Sequence, residues 1–167
     1  MTTIDSSTMY EVVTTPDGPF VVVERAGAVI AAGWSGDVGV VAARAGVGPA
    51  EVSSATLASA DAVRAWYAGN IDALGGVVVE QQGTEFQSAV WEALRQIPRG
   101  QVRRYGEMAE ALGRPGASRA VGTACSRNAV ALFVPCHRVV SASGALTGFA
   151  WGVDVKRSLL RRENPAP

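Results

Sequence analysis

The stretch VPCHRVV, residues 134–140, sets a cysteine beside the chain's only histidine, just behind a proline. Cysteine attacks as the thiolate, and an ordinary thiol with a pKa of about 8.5 needs a base or a positive environment to ionise near neutrality. His137 is the base at hand for Cys136. Adjacent residues in an extended segment point to opposite sides, so a water between the two side chains fits better than a direct hydrogen bond. A histidine serving as base wants a third group to orient it, usually a carboxylate. Glu163 is the candidate, since it ends the predicted helix VDVKRSLLRRE, where the macrodipole disfavours an acid. The competing reading is a buried strand with an inert thiol and a structurally bonded histidine.

One histidine and two cysteines cannot assemble zinc ligands at finger or ribbon spacing, so no structural metal is expected; the reading calls for no cofactor either. Two cysteines make no disulfide framework, and a compartment that keeps thiols reduced suits a cysteine used for its chemistry. No apolar run is long enough to span a bilayer, and the opening MTTIDSSTMYEVV lacks the layout of a signal peptide. A cytoplasmic protein with no membrane partner is expected.

The elements that must hold these residues fall into two halves. YEVVTT, FVVVERAG and AVIAAGW, separated by Pro16-Asp17-Gly18 and Ala26-Gly27, predict a small antiparallel sheet. Residues 35–56 read as loop with some helix. In SADAVRAWYAG, Ala62, Val63, Trp66 and Tyr67 share a helical face, and VVVEQQ reads as a last strand or linker. An α/β N-terminal domain over 1–82 is therefore expected, followed by a mainly helical C-terminal domain over 83–167. The latter opens on a capping box, Thr84 with Gln87, and a helical face made by Phe86, Ala89, Val90, Ala93, Leu94 and Ile97. The net charge of zero hides a split: residues 1–83 carry three arginines against nine acids, and residues 84–167 carry twelve bases against six acids. Eight arginines lie between Arg95 and Arg138, enough to set a positive surface against a polyanion.

Two short helices follow within that basic stretch, one from Tyr105 and one in GASRAVGTACSRN, joined by a Gly/Pro turn as in a helix-turn-helix. In the second, Ala117, Ala120, Val121, Ala124 and Cys125 make an apolar face, and Cys125 is assigned to the core. Arg119, Gly122, Thr123 and Ser126 lie opposite. Long side chains read base edges in the major groove, whereas a face of small residues lets the backbone approach a narrow minor groove. A projecting arginine then serves as a wedge or plug.

GTEFQSAVWEALRQIPRGQVRRYGEMA, RAVGTACSRN, VPCHRVVSASGALTGF and the closing KRSLLRRE together resemble the methylated-DNA–protein-cysteine methyltransferases, which repair O6-alkylguanine. The likeness runs through most of residues 83–163. It implies a ribonuclease-H-like N-terminal unit and a helix-turn-helix that binds double-stranded DNA from the minor groove. The flipped O6-alkylguanine then passes its alkyl group irreversibly to Cys136. It further implies that His137 deprotonates Cys136 through water, that Glu163 orients His137 and that Asn128 braces the cysteine segment. Arg119 would fill the gap left by the base. Tyr105 would push the nucleotide out and, with a backbone amide near Ala150, meet the charge developing on the leaving guanine, while the carbonyls of Cys136 and Val139 read its exocyclic amine. Single use and a monomeric state are expected, with clustering along DNA left open.

The chain departs from the family pattern at several positions. Ala129 stands for a common proline after Asn128, and Phe149 for a tyrosine. Trp151 stands for a glycine, which should narrow the pocket, and Val102 and Arg104 replace small hydroxyl residues at the expected phosphate contacts. The rival readings are a catalytically silent lesion-binding relative, a sequence-specific helix-turn-helix regulator and a Cys-His hydrolase.

Overall fold

The computed structural model describes residues 7–146 and 148–164. The opening residues 1–6, read above for a signal sequence, lie outside them. The chain divides into two compact units, Met1–Gln81 and Gln82–Pro167.

The first unit is built on a meander of β1 (Thr8–Thr15), β2 (Gly18–Arg25) and β3 (Ala28–Trp34), paired antiparallel as the apolar runs split by turn signals predict. Ala26 and Gly27 both take positive φ, 53° and 80°, as a two-residue turn matched to strand twist requires. The expectation of a purely antiparallel sheet needs correcting. After α1 (Val38–Ala43), β4 (Val52–Ser54) joins β1 in parallel, giving a mixed sheet of order β3-β2-β1-β4. Three residues of weak pattern fell within the stretch read as loop, too short for period-2 alternation to register. α2 (Ala58–Tyr67) buries Ser59, Ala60, Val63 and Trp66. VVVEQQ forms no full strand and contributes a single bridge from Val79 to Val29.

The second unit opens with α3 (Glu85–Arg95), whose first turn is closed reciprocally: Gln87 N donates to Thr84 Oγ1 and Thr84 N to Gln87 Oε1, both at 3.1 Å. Val90, Trp91, Leu94 and Ile97 are buried, whereas Ala89 faces solvent. Trp91 donates through Nε1 to the carbonyl of Ala124 at 2.8 Å, locking α3 onto α5 (Ser118–Ser126). Between them run β5 (Arg103–Arg104) and α4 (Tyr105–Ala111); β5 pairs in parallel with β6 (Val139–Val140), and α6 (Val153–Glu163) completes the unit. Gly100 takes φ +85°, and a Cβ there would stand 3.1 Å from the carbonyl oxygen of Glu163, so the loop after α3 packs directly on the end of α6.

Candidate active site

The segment around Cys136 is not extended. Residues Cys136–Arg138 form one turn of 3-10 helix after Pro135, with Arg138 N donating to Pro135 O at 3.0 Å and Cys136 N to Val134 O at 2.8 Å. The expectation of opposed side chains in a strand is corrected accordingly. Proline at the entry and the i to i+3 bond favour the tight turn, and only Val139 and Val140 continue as strand.

His137 is fully buried, and its Nε2 lies 3.0 Å from Glu163 Oε1. An ionised carboxylate only accepts, so Nε2 carries the proton and Nδ1 the lone pair. Nδ1 is buried without a hydrogen-bond partner among the described residues. Burial lowers the imidazole pKa and outweighs the Glu163 carboxylate, which raises it; Arg138 and Lys156 add to the lowering. Burial alone would push Glu163 up. Hydrogen bonds from Arg138 and His137 prevail and bring it down to about 2, so it is ionised throughout the working range.

The site holds two cations that the sequence reading did not place there. Arg138 donates through Nε to Glu163 Oε1 at 2.9 Å, through a terminal nitrogen to Oε2 at 2.5 Å, and through the other to the carbonyl of Ile97 at 2.8 Å. Lys156, the only lysine among fifteen bases, is 1% exposed and donates to the carbonyl of Val139 at 2.7 Å. Its pKa is lowered by burial, while the charges of Cys136 and Cys125 act to raise it. Two signals were available in the sequence. Lys156 and Glu163 are seven residues apart, so they share the face of α6 on which Leu159 is buried, and a glutamate at a helix end beside a basic PCHR turn calls for a cation.

Asn128 is buried between two parts of the cysteine segment. Its Nδ2 donates to Val134 O at 2.8 Å and its Oδ1 accepts from Val130 N at 3.0 Å. Its backbone N donates to Cys125 O at 3.2 Å, so the end of α5 and the approach to Cys136 are joined through one residue. Cys125 is half-buried, and burial together with the neighbouring Cys136 charge pushes its thiol pKa up, which suits an inert packing residue.

On α5, Arg119, Thr123 and Ser126 are exposed, and the two hydroxyls fold back onto helix carbonyls, Thr123 on Arg119 and Ser126 on Thr123. That leaves a shallow surface. A Cβ on Gly122 would be 3.9 Å from Tyr105 Cε1, so the half-buried Tyr105 lies against this bare patch. Ala120, assigned above to the apolar face, is exposed; a nine-residue helix buries only Val121 and Ala124. Arg104 is exposed, with its amide capped by Glu107 Oε1 at 2.9 Å. Phe149 and Trp151 are half-buried and Ala150 exposed in the turn before α6, closed by Gly152 N on Phe149 O at 3.0 Å.

Residues 85–165 match the model of the 6-O-methylguanine DNA methyltransferase DNA-binding domain. Methylated-DNA–protein-cysteine methyltransferases are 50% identical to the chain in Methanosarcina acetivorans over 101 residues, and 50% identical in Shigella flexneri over 103. These matches take in 60% and 62% of this chain and 64% and 60% of the relatives' own lengths, less than two thirds of each. The crystal structure of Mycobacterium tuberculosis O6-methylguanine methyltransferase superposes with a TM-score of 0.78 at 33% identity, covering 96% of this chain and 95% of the other. The same mycobacterial protein in complex with DNA gives a TM-score of 0.78 at 32% identity over 95% of both chains.

Proposed function

The chain belongs to the methylated-DNA–protein-cysteine methyltransferase family, and from that premise we propose that it repairs O6-alkylguanine in double-stranded DNA by one irreversible transfer to Cys136. The observation that carries this reading is the buried pairing of His137 Nε2 with Glu163 next to Cys136, which leaves Nδ1 as the available base.

The thiol proton passes through a water to Nδ1, the carboxylate opposite stabilising the imidazolium. The thiolate attacks the alkyl carbon in line; the S–C bond forms, the C–O6 bond breaks, and its electron pair stays on the guanine, which takes up the released proton. Tyr105 and an amide near Ala150 meet the charge developing on the base. The carbonyls of Cys136 and Val139 receive its exocyclic amine, Val139 holding a second lone pair beside the one given to Lys156. A thioether does not revert, so each molecule acts once, without metal or cofactor.

The finer features of the reading have specific support. The first unit, with its three-stranded meander and parallel fourth strand, fits a ribonuclease-H-like sheet. We read α4 and α5 as a helix-turn-helix lying in the minor groove, the shallow face of Gly122, Thr123 and Ser126 against the backbone, Arg119 in the gap left by the flipped base and Arg104 on a phosphate. We read the C-terminal unit as the DNA-binding and alkyl-transfer domain, and the protein as a cytoplasmic monomer. Among the described residues no helix is long and apolar enough to cross a membrane. Phe149 and Trp151 line the base pocket, and Trp151 narrows it. Methyl should therefore transfer faster than benzyl, and Trp151→Gly should bring the two rates together by roughly tenfold; equal rates in the unaltered protein would refute the narrowing.

The test is intact mass with peptide mapping after mixing the protein with a duplex carrying one O6-methylguanine. A gain of one methylene on the peptide holding Cys136, absent in Cys136→Ser, is expected. A bound duplex with an unchanged mass would replace alkyl transfer with lesion sensing.

A further inference from the structure

Glu163 has more holding it than a histidine needs. A single carboxylate oxygen within reach of Nε2 would fix the tautomer. Here Oε1 is shared between His137 and Arg138 Nε, and Oε2 is taken by the same guanidinium. The third arm of Arg138 reaches the carbonyl of Ile97, in the segment that follows α3. Glu163 itself is the last residue of α6, where helices fray. Without a brace, rotation about its side-chain bonds would carry Oε1 away from the imidazole.

Resting on the alkyl-transfer reading above, we propose that Arg138 is a positioning residue: its guanidinium, tied to the end of α3, clamps both oxygens of Glu163, so the carboxylate meets His137 Nε2 from one direction and the proton taken from Cys136 rests on the imidazole. Two consequences follow from the geometry. A carboxylate already accepting from a permanently charged guanidinium on both oxygens is a poor proton acceptor, so the proton stops at Nδ1 and Glu163 stays anionic through the reaction. The guanidinium also offsets part of the carboxylate's pull on the imidazole, keeping a buried base from being protonated before the alkylated guanine arrives. The charges acting on His137 are Glu163 and Lys156 from α6 and Arg138 from its own turn, with the Cys136 thiol next to it in sequence.

The chain has one histidine, so its imidazole nitrogens give unambiguous NMR signals without assignment by mutation. In the unaltered protein free of DNA, the proposal expects a neutral ring near pH 7 with the proton on Nε2, and a Glu163 carboxyl signal that does not move as the ring titrates. A proton on Nδ1, or a Glu163 signal that follows the ring, would overturn it, and this measurement needs no variant to fold. In Arg138→Gln, the imidazole titration should move to higher pH, and single-turnover transfer near neutrality should fall by roughly tenfold. The Arg138→Lys variant should recover part of both, since it returns the charge without the two-pronged geometry. Folded Arg138→Gln with an unshifted titration and an unshifted pH–rate profile would reduce Arg138 to a structural ion pair. Failure of the unaltered protein to gain a methylene would instead sink the alkyl-transfer reading, while the titration without DNA would still report on the clamp.

Discussion

Each unit contains an arginine–glutamate pair made of the same groups, and the two pairs differ in what else the carboxylate touches. In the N-terminal unit Glu11 on β1 accepts from Arg64 on α2 and from the amide of Leu57 at 2.7 Å, tying strand to helix. In the C-terminal unit Glu163 accepts from Arg138 and the sole histidine. The side chains of Arg64 and Glu11 are 44% and 17% exposed, those of Arg138 and Glu163 12% and 1%. Water screens the first pair and leaves it a modest tether. The second lies in a medium where charges act strongly, and its third partner is an imidazole, a group able to take up and release a proton. A carboxylate becomes part of a reaction by that partner and that burial, not by its arginine.

The comparison breaks most sharply on removal of the two charges. Glu163→Gln should slow single-turnover transfer by roughly a hundredfold or more, while Glu11→Gln leaves the rate within about twofold. Chemical denaturation should rank them the same way: about 3 kcal/mol for Glu163→Gln, which strands a buried guanidinium, and no more than about 1 kcal/mol for Glu11→Gln.

Acid sharpens the contrast further. The folded state lowers the pKa of His137 from 6.5, so unfolded chains bind the proton first, and stability present above pH 6.5 should drain away as pH falls below it. Glu163, lowered from 4.5 to about 2, should add a second loss between those values. Denaturation midpoints at pH 7, 6 and 5 should decline in the unaltered protein and in Glu11→Gln alike, and His137→Asn should flatten that segment.

The smallest effect concerns two glycines. Gly100→Ala and Gly27→Ala both force alanine to positive φ, +85° and +80°, and each should cost about 1 kcal/mol. Only the first brings a Cβ to 3.1 Å from the Glu163 carbonyl. It should also slow transfer several-fold, and equal rates in both variants would mean that the end of α6 tolerates displacement.

Much of the fold was legible because local chemistry repeats what the tertiary structure needs. Apolar runs with Pro-Asp-Gly and Ala-Gly between them gave the meander, and Thr84 with Gln87 gave the start of α3 to the residue. β4 was not legible, since three residues carry no period and their pairing with β1 depends on a crossover. The residues of VPCHRVV pointed to the nucleophile and base but not to their backbone shape, because one turn of 3-10 helix leaves no periodic trace.

The sequence by itself determined the kinds of groups available: one histidine, a cysteine beside it, a glutamate at an unfavourable helix end, and small residues opposite the apolar face of α5. Only the tertiary structure decided their relations. His137 and Glu163 are 26 residues apart, and the carbonyl that anchors Arg138 lies 41 residues from it. Lys156 is buried on the Val139 carbonyl, although the same residue on an isolated helix would be solvated. The reason is physical: propensity and capping act within a few residues along the chain, whereas burial, charge pairing and the shift of a proton's resting place arise only when distant segments exclude water together.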